Sequence, residues 1–264
     1  MKAFLQYFFG QGQEQEFALF TLSHIAPILV GVGLIFLIWR LRDKIAGWKR
    51  EGYIRYALAF ALILSDMTYY WRLTCYPGLS GSLQESLPLT VCGWAAIFCS
   101  YMVVGKSKSL FDICYFWLLA GSIFALLTPT PLNYTGFTRF RYYQFWTEHI
   151  LGYVAIFYMI FVHKMRPTIR SAVKSYIALV VLAVVAYVTN RMIGPGANYL
   201  FLARPEATPS VLDILPPVFW LRTLIMAAVI TTLYGVAYLP WYLRDRKAKR
   251  VELDTEEQSV SVDT

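Results

Sequence analysis

The sequence predicts an all-α membrane protein, a polytopic bundle of about seven transmembrane helices with the N-terminus outside and the C-terminus in the cytoplasm. Three observations point there. Hydrophobic residues make up 58% of the chain and charged residues 15%, a balance well to the apolar side of a soluble domain. Several runs of about 18 or more residues carry almost no charge, enough to cross a bilayer as helix. Basic residues crowd into alternate connections, as cytoplasmic loops do. A closed β-barrel is the other spanning architecture, and these runs lack its period of two.

Taken in order, the spans read as about 20–40, 53–74, 87–104, 110–129, 145–163, 173–190 and 217–243. Basic clusters at 40–55, 106–108, 164–174 and 244–250 follow the first, third, fifth and seventh, and hold 17 of the 24 lysines and arginines. That asymmetry sets the orientation. It also accounts for most of the net charge of +8, so no nucleic-acid partner is implied. Met1 to Phe20 has one lysine and no apolar core ahead of a small-residue cleavage site, so the first span reads as its own insertion signal. The outer loops, Cys75–Ser82, Pro129–Tyr143 and Arg191–Pro216, are rich in Gly, Pro, Asn and aromatics and suit tight turns at the interface. Residues 1–250 form one helical domain, and 251–264 read as an acidic, disordered cytoplasmic tail. The location implied is the cell membrane, multi-pass. Cys75, Cys92, Cys99 and Cys114 show no metal-ligand spacing, and neither a metal nor a cofactor is expected.

Polar residues recur at one depth. Spans one, three, five and seven all start outside, and four or five residues into each stand His24, Cys92, His149 and Arg222, roughly 6–8 Å below the helix starts. The second span brings Asp66 and Arg72 to that level, and the sixth brings Asn190 and Arg191. Ionisable groups within spans are costly and usually face the bundle interior. Each has a bland alternative: Cys92 as a small filler, His24 as a satisfied core histidine, Arg72 or Arg222 reaching out to phosphates. Together they read as a polar cavity open to the outer leaflet.

Leu87-Pro-Leu-Thr-Val-Cys92 gives that cavity its chemistry. Proline suits a first helical turn, so the helix is expected to open there with Cys92 one turn further in. A thiol near the positive end of the helix dipole is favoured as thiolate. With an imidazole at matched depth it forms the minimum for nucleophilic attack on an ester carbonyl. An arginine or asparagine could steady the oxyanion or grip a phosphate. The spacing makes the depths of Cys92 and His149 compatible; it does not place them in contact.

Four pieces, Ser23-His-Ile-Ala-Pro27, Leu87-Pro-Leu-Thr-Val-Cys92, His149 in the fifth span, and Thr189-Asn190 with Ala197-Asn-Tyr-Leu-Phe-Leu202, Pro205 and Ser210-Val-Leu-Asp213, resemble the transmembrane protein 164 family, in particular its bacterial YwaF-type members. The resemblance runs from about residue 15 to 243 and implies a bacterial plasma-membrane protein. It also implies a fold related to the androgen-induced lipid hydrolases, which use a Thr/His pair. Animal members of the family are acyltransferases with a cysteine nucleophile acting on phospholipids. Carried over, the nucleophile falls on Cys92 and the histidine on His149, with membrane phospholipid as both substrate and solvent. Asn198 and Tyr199 then join His24, Arg72, Asn190 and Arg222 as substrate-binding candidates. Gly93-Trp94 departs from the more polar neighbour expected after the cysteine and leaves the oxyanion partner open. Two functions remain in view: a lipid acyltransferase or acyl hydrolase, and a non-catalytic carrier whose cavity holds an anionic ligand between Arg72 and Arg222.

Overall fold

A computed structural model describes residues 2–10, 12, 16–76, 79, 87–129, 132, 135–202 and 214–262, with backbone alone for 252–262. Most of the Cys75–Ser82 loop, Pro205 and Ser210–Asp213 lie outside the described residues. The chain is all helical among those described. Its elements are α1 (Lys2–Phe9), α2 (Leu22–Ala46), α3 (Glu51–Cys75), α4 (Val91–Gly105), α5 (Lys108–Phe116), a π-helical turn (Trp117–Ser122), α6 (Ile123–Leu127), α7 (Phe140–Phe161), α8 (Ile169–Ile193), a 3₁₀ turn (Tyr199–Phe201) and α9 (Phe219–Val262).

Local chemistry fixes several starts. Thr90 caps α4 by accepting from the Gly93 N–H, and Ser107 caps α5 by accepting from the Leu110 N–H. Thr168 and Ser171 form a reciprocal capping box at α8. Glu51 begins α3, where the helix dipole favours a carboxylate. The last helix runs on to Val262, through most of the stretch read as a disordered tail.

The expected count of about seven transmembrane helices is corrected. Among the described residues four helical segments are long and apolar enough to cross a membrane: Leu22–Ala46, Lys108–Leu127, Ile169–Ile193 and Phe219–Val251. The other three expected spans fail for distinct reasons. Helix α3 buries Glu51, Arg55, Asp66 and Arg72, and α7 buries Gln144 and His149, so their polarity is turned inward on the bundle. Helix α4 has 15 residues, about 22 Å of helix against a hydrocarbon layer of about 30 Å.

Packing follows the same division. Helix α3 lies against α4 and α7, α4 also meets α5 and α7, α2 packs on α7, and α5 packs on α8. Leu62, Ala95, Cys99, Met102, Phe111, Phe116, Ile156 and Met159 are buried at the centre. Helices α2, α8 and α9 remain largely exposed along their apolar lengths, the surface acyl chains would cover.

One network clasps α3, α4 and α7 at the end that carries the basic loops. The Arg55 Nε donates to both Glu51 carboxylate oxygens, at 3.1 and 2.9 Å, and its Nη1 donates to the Val103 and Val104 carbonyls at the end of α4. Tyr158 and His163 also donate to Glu51. Burial opposes ionisation of Glu51, but the hydrogen bonds from Tyr158, Arg55 and His163 outweigh it and hold the carboxyl down at about 2. Burial lowers the His163 pKa, with Lys106 and Arg55 adding to it against the pull of Glu51, so His163 donates as the neutral ring. Both depressions have the same sign. Their contributions are complete above the ordinary histidine value of 6.5 and shrink as pH falls, His163 first, then Glu51 from 4.5 down to about 2. Glu51→Ala strands the buried Arg55 charge, and a loss of about 3–5 kcal/mol is expected. Thermal unfolding in detergent checks it; an unchanged midpoint, or stability that rises on acidification from pH 7 to 5, would overturn the clasp.

Candidate active site

The approach to α4 differs from the sequence expectation. The helix opens at Val91, four residues later than Leu87-Pro88 suggested, so Cys92 sits in its first turn. Proline pushes the residue before it out of the α region, and Thr90, extended at φ −112° and ψ 147°, takes the cap instead. The Leu87 N–H donates to the Tyr199 hydroxyl at 2.9 Å. Tyr199 is held in turn by Asn190, whose amide donates to the Tyr199 carbonyl at 3.0 Å and accepts from its N–H at 2.8 Å. Asn190 and Tyr199 therefore position the segment leading into Cys92. Neither the Val91 nor the Cys92 N–H has a partner among the described residues; both belong to the set of donors that a helix start leaves open.

His149 lies on α7, which starts at the same end of the bundle as α4, and is buried. Its Nδ1 is 2.8 Å from the Phe145 carbonyl. A carbonyl can only accept, so Nδ1 carries the proton and Nε2 presents a lone pair. The Phe145 ring stacks on the imidazole at 4.2 Å and fixes its plane. The half-buried Cys92 lies close enough to His149 for the two side chains to interact electrostatically. Its sulfur is also 3.3 Å from the Ser122 hydroxyl.

Other expected site residues go elsewhere. The His24 Nδ1 accepts from the Phe20 N–H at 3.0 Å, and its Nε2 donates to the Leu126 carbonyl at 2.8 Å, so one ring nitrogen closes the start of α2 and the other ties it to α6. Arg72 donates to the Phe9 and Gly10 carbonyls and fastens α1 across the end of the bundle. Arg222, wholly buried, donates to the Phe201 carbonyl at 2.8 Å and more weakly to that of Leu215. The Asn198 carbonyl accepts from the Phe201 N–H in the same turn. Asp66 is buried against the start of α4, where a Cβ at Gly93 would stand 3.5 Å from its Oδ1 and 3.1 Å from the Thr90 hydroxyl. A side chain after the cysteine would therefore crowd the Thr90 cap.

The sequence reading missed Ser122 and Thr90. Thr90 carried a signal, a capping residue just ahead of an apolar run; Ser122 carried none. Two open clefts lie at the basic end, one by Leu41–Trp48 and one of about 480 Å³ by Glu51, Arg55 and His163; neither reaches Cys92. Among the described residues no three His, Cys, Asp or Glu side chains converge as a metal site requires.

Fold and site together define a multi-pass α-helical membrane protein with the Cys92 thiol beside the Ser122 hydroxyl and near the His149 imidazole at one end of its bundle. The chain matches the model of the TMEM164 family over residues 19–238 and belongs to that family. The matched stretch contains Cys92, Ser122 and His149. No curated protein and no solved structure matches the chain.

Proposed function

We propose that this protein is a membrane lipid acyltransferase or acyl hydrolase with Cys92 as nucleophile and His149 as base. The observation that carries the reading is the tautomer of His149. Its Nδ1–H is held by the Phe145 carbonyl, which leaves Nε2 free to accept a proton, and Cys92 is among the groups close enough to act on the ring. The thiol proton passes to Nε2 as the sulfur adds to an ester carbonyl. The leaving alkoxide takes that proton back and a thioester remains on Cys92. An acceptor hydroxyl or water then attacks the thioester, gives its proton to Nε2, and the thiol is restored. The open N–H groups of Val91 and Cys92 offer donors for the oxyanion of both tetrahedral intermediates.

Binding energy for a lipid would come from acyl chains lying along the exposed apolar lengths of α2, α8 and α9. The basic loops gather at the opposite end of the bundle, so the positive-inside rule puts the site in the outer half of the membrane. The carrier reading needed Arg72 and Arg222 to face a ligand, and both donate to backbone carbonyls, Arg72 to Phe9 and Gly10 and Arg222 to Phe201.

The direct test is a trapped intermediate. Incubation with phospholipid bearing a tagged acyl chain is expected to leave a hydroxylamine-sensitive adduct on Cys92, identified by peptide mass. An impermeant thiol reagent added to intact cells should block its formation. Acyl turnover with no Cys92 adduct at any time point would refute the thioester, and turnover untouched by the impermeant reagent would refute the outer-half placement.

A further inference from the structure

Between α5 and α6 the chain makes a π-helical turn, Trp117–Ser122. Such turns insert one extra residue and rotate the helix beyond them, and they concentrate at functional sites. Three contacts hold this one. The Leu118 carbonyl, which a continuous α-helix would give to the Ser122 N–H, accepts from the Tyr153 hydroxyl at 2.6 Å. The Trp117 indole N–H donates to the Ser175 carbonyl at 3.2 Å. At Gly121 a Cβ would stand 3.3 Å from the Val91 side chain, so the turn lies directly on the first turn of α4. The result is that Ser122, with no exposed surface, presents its hydroxyl to the Cys92 sulfur at 3.3 Å. Among the described residues that sulfur is its hydrogen-bond partner.

We propose that Ser122 is the third member of the site, a hydrogen-bond donor that orients the Cys92 sulfur and stabilises it as thiolate. The proposal rests on the Cys92–His149 reading. The His149 Nε2 can only accept in the resting tautomer, so the thiol proton goes there and Ser122 gives its own proton to the sulfur. Once the thiol is ionised its sulfur can only accept, and the Ser122 bond becomes charge-assisted. This matters because the Nδ1 of His149 meets a neutral carbonyl, where a catalytic triad has a carboxylate. A thiolate–imidazolium pair in the bundle then depends on dipoles, and Ser122 together with the start of α4 supplies them. The bland reading treats Ser122 as a small residue filling space beside a thiol, with its hydroxyl incidental.

The two separate in the reactivity of Cys92, read by peptide mass after brief alkylation of the full-length protein with iodoacetamide in detergent. At pH 7 the Ser122→Ala rate is expected to fall about tenfold, the scale of a charge-assisted bond. The gap should close as the pH rises and ionisation needs no help. Ser122→Thr, which keeps the hydroxyl, should stay within about threefold of wild type. A Ser122→Ala protein with wild-type rates across the pH range overturns the proposal. So does one that fails to fold, since that loss belongs to packing. His149→Gln measured in parallel tells the two readings apart. If it leaves the rate unchanged while Ser122→Ala lowers it, the base assignment fails and the Ser122 bond stands; the reverse removes Ser122 and keeps the dyad.

Discussion

Cys92→Ser is expected to lose phospholipid acyl turnover by roughly 10³-fold or more, with the thermal midpoint close to wild type. The two side chains differ little in volume, and a serine hydroxyl can keep both polar neighbours, Ser122 and His149. The fold therefore has no reason to fail. The chemistry does. An alcohol holds its proton far more tightly than a thiol, and His149 is oriented by the Phe145 carbonyl. A carbonyl fixes the ring, but it cannot stabilise the imidazolium as a carboxylate would. The measurement is release of a labelled acyl chain in proteoliposomes, with unfolding followed on the same preparation. If Cys92→Ser and Cys92→Ala both turn lipid over at the wild-type rate, Cys92 is packing and the enzyme reading falls with it.

The sequence put Cys92 and His149 at one depth by counting four or five residues in from helix starts near 87 and 145; the helices open at Val91 and Phe140, so that count does not hold. What faces what is set by rotation about each helix, and that comes from packing. His24 and Arg222 were expected beside Cys92 yet serve the Leu126 and Phe201 carbonyls, because buried connections need donors. The same limit explains the span count. Residues such as Arg55 and Asp66 looked tolerable in the otherwise apolar run 53–74. In the structure they face α4 and α7, leaving α3 too polar to count among the four candidate spans. The helix start at Val91 was readable from Thr90, but Pro88 gave the louder signal. Ser122 was out of reach. A π-helical turn has no composition of its own, and the contacts that hold this one come from Tyr153, Ser175 and Val91, far away in the chain.

His149→Gln carries the second large effect, a fall in turnover of about 10²–10⁴-fold, the range attributed to general acid–base catalysis. Glutamine suits the test because its amide can still donate toward the Phe145 carbonyl and fill space beside the Phe145 ring. What it lacks is a nitrogen that accepts a proton and gives it back. Two steps need that nitrogen: it takes the thiol proton during acylation, and it takes the acceptor's proton when the thioester is resolved. Both should slow, and they can be read separately. Loading of tagged acyl chains onto Cys92 should fall most near neutral pH and recover as alkali ionises the thiol without assistance. Release of an acyl group already loaded has no such remedy from the thiol, so the adduct should persist in His149→Gln under conditions where wild type has cleared it. A variant that loads slowly but releases at the wild-type rate would assign the second proton transfer to another group. One candidate is Asp66, buried against the start of α4. A variant unchanged in both steps would leave His149 as a stacked core residue and the thiol without a base.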